Sequence, residues 1–222
     1  MADYVPDETT ILNFRHLLEK HNLADQVFSV INNHLQEKGL LLKEGTIVDA
    51  SIIAGPSSTK NKNKKRDPEM GSTKKGNNYH FGVKVHSGVD SRSGLVHSVE
   101  TTSASIADKA MLYELLHGQE KAIFGDKGYV GKEDKHLARD AEVYWGVLDR
   151  RGPNKKLSLK QKKRNKKLSK IRAKVEHPFR IVKSVWGHNK TRYRGLEKNK
   201  SHFKMLFALS NLYMKRKILL GA

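Results

Sequence analysis

The residues best suited to chemistry are three acids set among cations. Arg172, Glu176, Arg180 and Lys183 follow one another at intervals of four, four and three residues, so a continuous helix carries all four on one face. Such a face suits an acid that holds a metal beside a polyanion; the plainer alternative is a solvated helix with ordinary charge pairs. Asp49 lies in Gly45-Thr-Ile-Val-Asp49-Ala-Ser-Ile-Ile53, where β-branched residues run on both faces, as in the middle of a sheet. An ionised carboxylate there is costly unless something pairs with it, either a structural hydrogen bond or a metal. Asp126 follows the short apolar run Lys121-Ala-Ile-Phe124-Gly and precedes the turn Lys127-Gly128-Tyr129. Open α/β sheets place ligand groups at such strand ends, although Asp also favours turns for its own hydrogen bonds.

The partner of these acids follows from the charge. The chain has 43 Lys and Arg against 23 Asp and Glu, a net charge of +20 and a pI near 10.0. Neutralising phosphates with Lys and Arg supplies most sequence-independent affinity for nucleic acid. There is no cysteine, which excludes disulfides, thiolate zinc sites and a Cys nucleophile. No run of 18 apolar residues occurs and Met1-Ala-Asp-Tyr is not a leader, so a cytoplasmic protein with no membrane contact is expected.

The elements that must position the acids can be read in order. Asp7-Glu-Thr-Thr10 caps an amphipathic helix with Ile11, Leu12, Phe14, Leu17 and Leu18, and a second helix turns Val27, Val30, Ile31 and Leu35 inward. His16, His21 and His34 lack metal-ligand spacing. Residues 57–76 lose all periodicity and read as a mobile basic loop containing Lys74 and Lys75. Alternation from Tyr79 to Val85 and again from Leu95 to Thr101, with Asp90-Ser-Arg-Ser-Gly94 between, predicts a β-hairpin with Asp90 as a turn residue. A helix over Ala110–Leu116, one over Glu133–Asp140 and a strand over Glu142–Leu148 follow. The basic stretch 152–174 reads as a DNA-backbone contact leading into Glu176. Pro178 either kinks this helix or restarts it, and the last helix, with Phe203, Leu206, Phe207, Leu209, Leu212 and Tyr213, is core.

Strand acid, hairpin, helix, strand acid, helix, strand, helix acid is the order a ribonuclease H-like core needs to gather three carboxylates at one sheet edge. The expected fold class is α/β (α+β mixed), a central mixed sheet flanked by helices. Carboxylate oxygens suit Mg²⁺ or Mn²⁺, and two such ions activate a nucleophile and stabilise the leaving oxygen in phosphoryl transfer.

At this point the chain resembles the DDE transposases of bacterial insertion sequences, of the IS-five group. The resembling pieces are Pro6 to Glu19, Val48-Asp49-Ala-Ser, Lys74-Lys-Gly-Asn-Asn-Tyr-His-Phe-Gly82, Gly88-Val-Asp90 with Ser93-Gly94, Gly125-Asp126-Lys-Gly-Tyr129 and Arg172 to Lys183. The family signature of Tyr, Arg, Glu and Lys around its last acid is met by Arg172, Glu176 and Lys183, with Ser169 where the Tyr belongs. The resemblance implies a ribonuclease H-like domain over residues 45–222 and, in 1–44, a helical remnant of a longer amino-terminal part. It implies Asp49, Asp126 and Glu176 as catalytic metal ligands for Mg²⁺ (or Mn²⁺), with Arg172 and Lys183 holding transposon-end DNA. Arg180, Lys127, Lys74 and Lys75 are the further DNA-binding candidates. The implied activity is cleavage at terminal inverted repeats and strand transfer into target DNA by a homodimer or larger complex at the bacterial nucleoid. The rivals are a non-catalytic DNA-binding remnant or regulator, and a nuclease of the same fold that joins nothing.

Overall fold

The computed structural model describes residues 5–221; the first four, from which the lack of a leader was read, lie outside them. β1 (Gly45–Ala54) is the axis of the molecule. It pairs antiparallel with β3 (Asn78–Asp90) and parallel with β5 (Ala122–Gly125), and β5 pairs parallel with β6 (Tyr144–Val147). β2 (Gly71–Lys75) and β4 (Val96–Ser103) are both antiparallel to β3, completing a curled six-stranded mixed sheet. The both-faces pattern of β1 is explained by two cores. Ile47 and Ile53 join Phe179, Val182, Phe203 and Phe207 on one side, while Val48 packs with Leu112, Leu115 and Tyr129 on the other. The mixed sheet flanked by helices is the expected α/β architecture of a ribonuclease H-like fold.

Helix α6 (Leu196–Leu219) closes the first core and receives α2 (Leu23–Glu37), whose Phe28 enters the same core. Val30, expected inward, is exposed; the buried residues of α2 are Ala24, Phe28, Asn32 and Leu35, and Val30 falls between them on the outer face. Leu209 of α6 is likewise exposed. Helix α1 (Glu8–Lys20) is capped as expected, Thr10 N–H donating to Asp7 Oδ1 at 2.7 Å. Its apolar residues Ile11, Leu12, Phe14 and Leu17 are nevertheless exposed and none of the helix is buried. It leans on the rest through α2 and through Arg15, stacked 4.5 Å from the Tyr193 ring.

Two further expectations change. The basic stretch 57–76 is not wholly a loop: Gly71–Lys75 is strand β2, placing Lys74 opposite Tyr79 and Lys75 opposite Asn78 in a hairpin turned at Gly76, whose φ is +61°. Its strand character comes from pairing with β3, not from apolar periodicity, so its composition hid it. The helix predicted over Ala110–Leu116 is two short 3₁₀ turns, Asp108–Met111 and Tyr113–Leu115, which bring Leu112 and Leu115 under the sheet. The hairpin β3–β4 is as expected, with Asp90 Oδ2 accepting from Ser93 N–H at 2.7 Å. Helix α3 (Lys132–Asp140) precedes β6 and α4 (Leu159–Arg172) follows it.

Candidate active site

Asp49 and Asp126 are brought together by strand register. Ile47 of β1 pairs with Phe124 of β5 in parallel, and continuing two residues sets Asp49 beside Asp126 just past the last residue of β5. Neighbouring strands stand about 4.8 Å apart, so the two residues stand side by side where β5 ends against the middle of β1. Asp49 Oδ1 accepts from Ala50 N–H at 2.8 Å and Oδ2 faces Arg172 Nη2 at 3.4 Å. Burial pushes the Asp49 acid up to about 6, against the Ala50 N–H and Arg172, which lower it, while the charges of Asp126 and Asp108 raise it further. Asp126 fills the turn role its residue type allowed, Oδ1 accepting from Gly128 N–H at 2.6 Å at the head of a 3₁₀ turn over Lys127–Tyr129. The same bond leaves its other oxygen available. Tyr129 sits fully buried below, its hydroxyl without a hydrogen-bond partner, and burial together with Asp49, Asp108 and Asp126 raises its pKa.

Asp108 is the acid that motif reading missed as a site residue. Its 3₁₀ turn packs on that of Lys127–Tyr129, and a Cβ on Gly128 would stand 3.9 Å from its carboxylate. Lys84, on β3, pairs with it at 2.9 Å and donates to the Ile106 carbonyl at 2.7 Å. In the sequence Asp108 stands two residues ahead of the apolar pattern Ala110–Leu116, with no motif around it. The nearest available signal was a buried-strand Lys, Lys84, which needs an acid to face it.

The third acid comes from a helical run that changes pitch. α4 ends at Arg172, a 3₁₀ turn covers Ala173–Val175, α5 spans Glu176–Arg180 and a π turn covers Ile181–Val185. Pro178 falls in the first turn of α5, where its missing N–H is not needed, and the 3₁₀ turn before it spares the clash with the Lys174 carbonyl, so the α-helix is interrupted and restarts at Glu176. This run lies along β1, because Arg172 touches Asp49 and Lys183 Nζ donates to Ser51 Oγ at 3.0 Å and to the Ile52 carbonyl at 3.1 Å. Glu176 stands between those two anchors in the chain and is exposed. Burial and the nearby charge of Lys75 both lower the Lys183 pKa, so β2 and the helix bring cations to the same end of β1. Lys74 lies 5.5 Å from the Tyr79 ring on the projecting hairpin, while Arg180 and Lys127 are exposed.

Arg172, Lys183 and Asp49 are thus assembled, and Asp126 adjoins them. The three acids are not drawn to ligand distance: among the described residues no group of three His, Asp or Glu side chains stands close enough to hold a metal ion. Their chemistry nevertheless fits a hard divalent cation, since the donors are carboxylates and Asp49 sits among like charges with one guanidinium against it.

A curled mixed sheet with two carboxylates side by side, Asp49 within β1 and Asp126 just past the end of β5, flanked by cationic helices, is an arrangement suited to phosphoryl transfer on a polyanion. The family of the transposase DDE domain matches residues 41–212, and the chain belongs to that family. Membership makes it a DNA-cleaving, phosphoryl-transferring protein of DNA transposition and recombination, with DNA as its substrate. No solved structure matches the chain. Among the described residues no helix is long and apolar enough to cross a membrane.

Proposed function

We propose that the chain cleaves DNA at transposon terminal inverted repeats and joins the freed 3′ ends to target DNA, as an insertion-sequence transposase working in a dimer or larger complex. The observation that supports this most is the side-by-side placement of Asp49 and Asp126 with Arg172 held against Asp49. Asp49, Asp126 and Glu176 would hold Mg²⁺ or Mn²⁺, which when bound supplies activation of the attacking water or hydroxyl and stabilises the leaving oxygen. Arg172 moves from Asp49 to a phosphate as DNA arrives, since a guanidinium suits either anion. Lys183, fixed by Ser51 and Ile52, and Lys75 beside it grip the transposon-end backbone. Arg180, Lys127 and Lys74 extend the contact.

The test is a reaction of full-length protein with Mg²⁺, a terminal-repeat duplex and a target plasmid. Joined products support the proposal. Cleavage without joining assigns a nuclease, and binding without either assigns a regulator. Asp126→Asn and Asp49→Asn should abolish joining while retaining DNA binding; joining at the unmodified rate in either variant would show that these carboxylates are not the catalytic ones.

A further inference from the structure

A second cationic surface lies away from these carboxylates. β6 is the edge strand of the sheet, and Tyr144 opens it opposite Ala122, the first residue of β5. The Asp126 end is four residues further along, about 13 Å at strand rise. On one side of Tyr144 is a cleft of about 780 Å³ walled by Lys121 and, from α3, by Lys132, Lys135 and Arg139. Glu142 is the one carboxylate that lines it. On the other side is a cleft of about 310 Å³ beneath α4, where Lys160, Lys163 and Lys167 line up at intervals of three and four residues. Tyr144 belongs to both clefts and is 52 % exposed. The two clefts share Tyr144 as a common wall, and together they make a trough at the sheet edge with cations on both sides of an aromatic ring.

We propose that this trough binds a single DNA strand without regard to sequence, its phosphates running between the α3 and α4 lysines and a base stacked on Tyr144. The charge fixes a polyphosphate as the occupant. Seven cations, Lys121, Lys132, Lys135 and Arg139 on one wall and Lys160, Lys163 and Lys167 on the other, face one carboxylate. The ring selects an unpaired strand: a base within a duplex has its faces covered by its neighbours, whereas an unpaired base can lie on an aromatic side chain. The reading takes DNA as the substrate from the proposed function, and it adds a strand-holding site separate from the Arg172–Lys183 grip. Such a site suits the strand that becomes unpaired or displaced beside the cut.

The test is fluorescence anisotropy of a labelled random-sequence 20-nucleotide strand with the full chain, without divalent metal, across a salt series. Each phosphate contact adds about 0.7 to the salt slope on a single strand. The variant K132Q/K135Q/R139Q should therefore flatten the slope by about 2. Tyr144→Ala should weaken binding by about 5- to 150-fold with the slope kept, and Tyr144→Phe should bind like the parent. Because Tyr144 also packs 6.1 Å from the Phe124 ring, the Phe variant preserves the fold and separates stacking from packing. An unchanged slope in the triple variant overturns the proposal, as does equal loss in Tyr144→Ala on a blunt duplex of the same length. Asp126→Asn should bind this strand normally, so failure of the catalytic reading and failure of this one are told apart.

Discussion

Replacing Arg164 with alanine should loosen the basic helix α4 from the sheet. Eight of its fourteen residues are Lys or Arg, a density that repels itself and that cannot hold a helix by propensity alone. What holds it is the free edge of β6. Arg164 Nη2 donates to the Trp145 carbonyl at 2.7 Å, and Nη1 donates to the Val147 carbonyl at 2.9 Å and to Asp149 Oδ2 at 3.0 Å. Asn165 adds a pair to the backbone of Asp149, at 2.9 and 3.1 Å, and Leu168 enters the core. A hydrogen bond from a charged donor contributes about 1.5–3 kcal/mol, and a surface ion pair about 0–1. The Arg164 side chain is about one-third exposed, so water re-solvates part of what is lost, and the net cost is about 3 kcal/mol. For a protein of this size that is a fall of about 6–12 °C in Tm, or of roughly 1 M in urea midpoint.

The assay is urea unfolding followed by hydrogen exchange. Arg164→Ala should speed exchange first in the amides of Leu159–Arg172, whereas Arg164→Lys, which keeps the charge but reaches fewer acceptors, should show about half the loss. Because α4 leads straight into Arg172 at Asp49, DNA cleavage should drop further than DNA binding. An unchanged urea midpoint, or exchange that rises evenly across the sheet and not first in α4, would refute the docking argument.

Acid should destabilise the fold through two buried histidines. Burial pushes His86 down to about 4 and His97 to about 3, so both are neutral when folded, while the unfolded chain takes up their protons below about pH 6.5. Their stabilisation is therefore complete above that pH and lost on acidification toward 4; between pH 7 and 5 the two forfeit about 4 kcal/mol. Asp49, raised to about 6, has the opposite sign and restores about 1. The urea midpoint should fall between pH 7 and 5, and a flat or rising profile contradicts the assignment. Gly82→Ala should fail separately: with φ at +152°, a Cβ would stand 2.1 Å from the Ile53 carbonyl oxygen where β3 meets the end of β1. That predicts a loss of about 3 kcal/mol or more, and a soluble variant with the parent's urea midpoint would count against it.

The parts of the site readable in the sequence are those where local pattern and tertiary demand agree. β1 announces itself because it is covered on both faces, and only a central strand needs β-branched residues at every second and every intervening position. Asp126 was visible because a short apolar run ended in a Gly-flanked acid, and the parallel pairing of β1 with β5 then set it next to Asp49. The parts that were hidden depend on partners distant in the chain. β2 is polar and lysine-rich, and only its ladder to β3 makes it a strand. Asp108 acquires meaning from Lys84, 24 residues earlier, and the pitch changes around Glu176 answer to Pro178 and to the packing of Phe179 and Val182 against α6. The basic stretch before Glu176 is read as a DNA contact from its charge, and charge alone could not say which cations face outward. That division comes from Arg164, which bonds the β6 backbone, and Asn165, which bonds the backbone of Asp149 just beyond it. They sort its other cations into Lys160, Lys163 and Lys167 beside Tyr144 and Arg172 over Asp49, so one helix would serve both the proposed strand-holding surface and the candidate carboxylates.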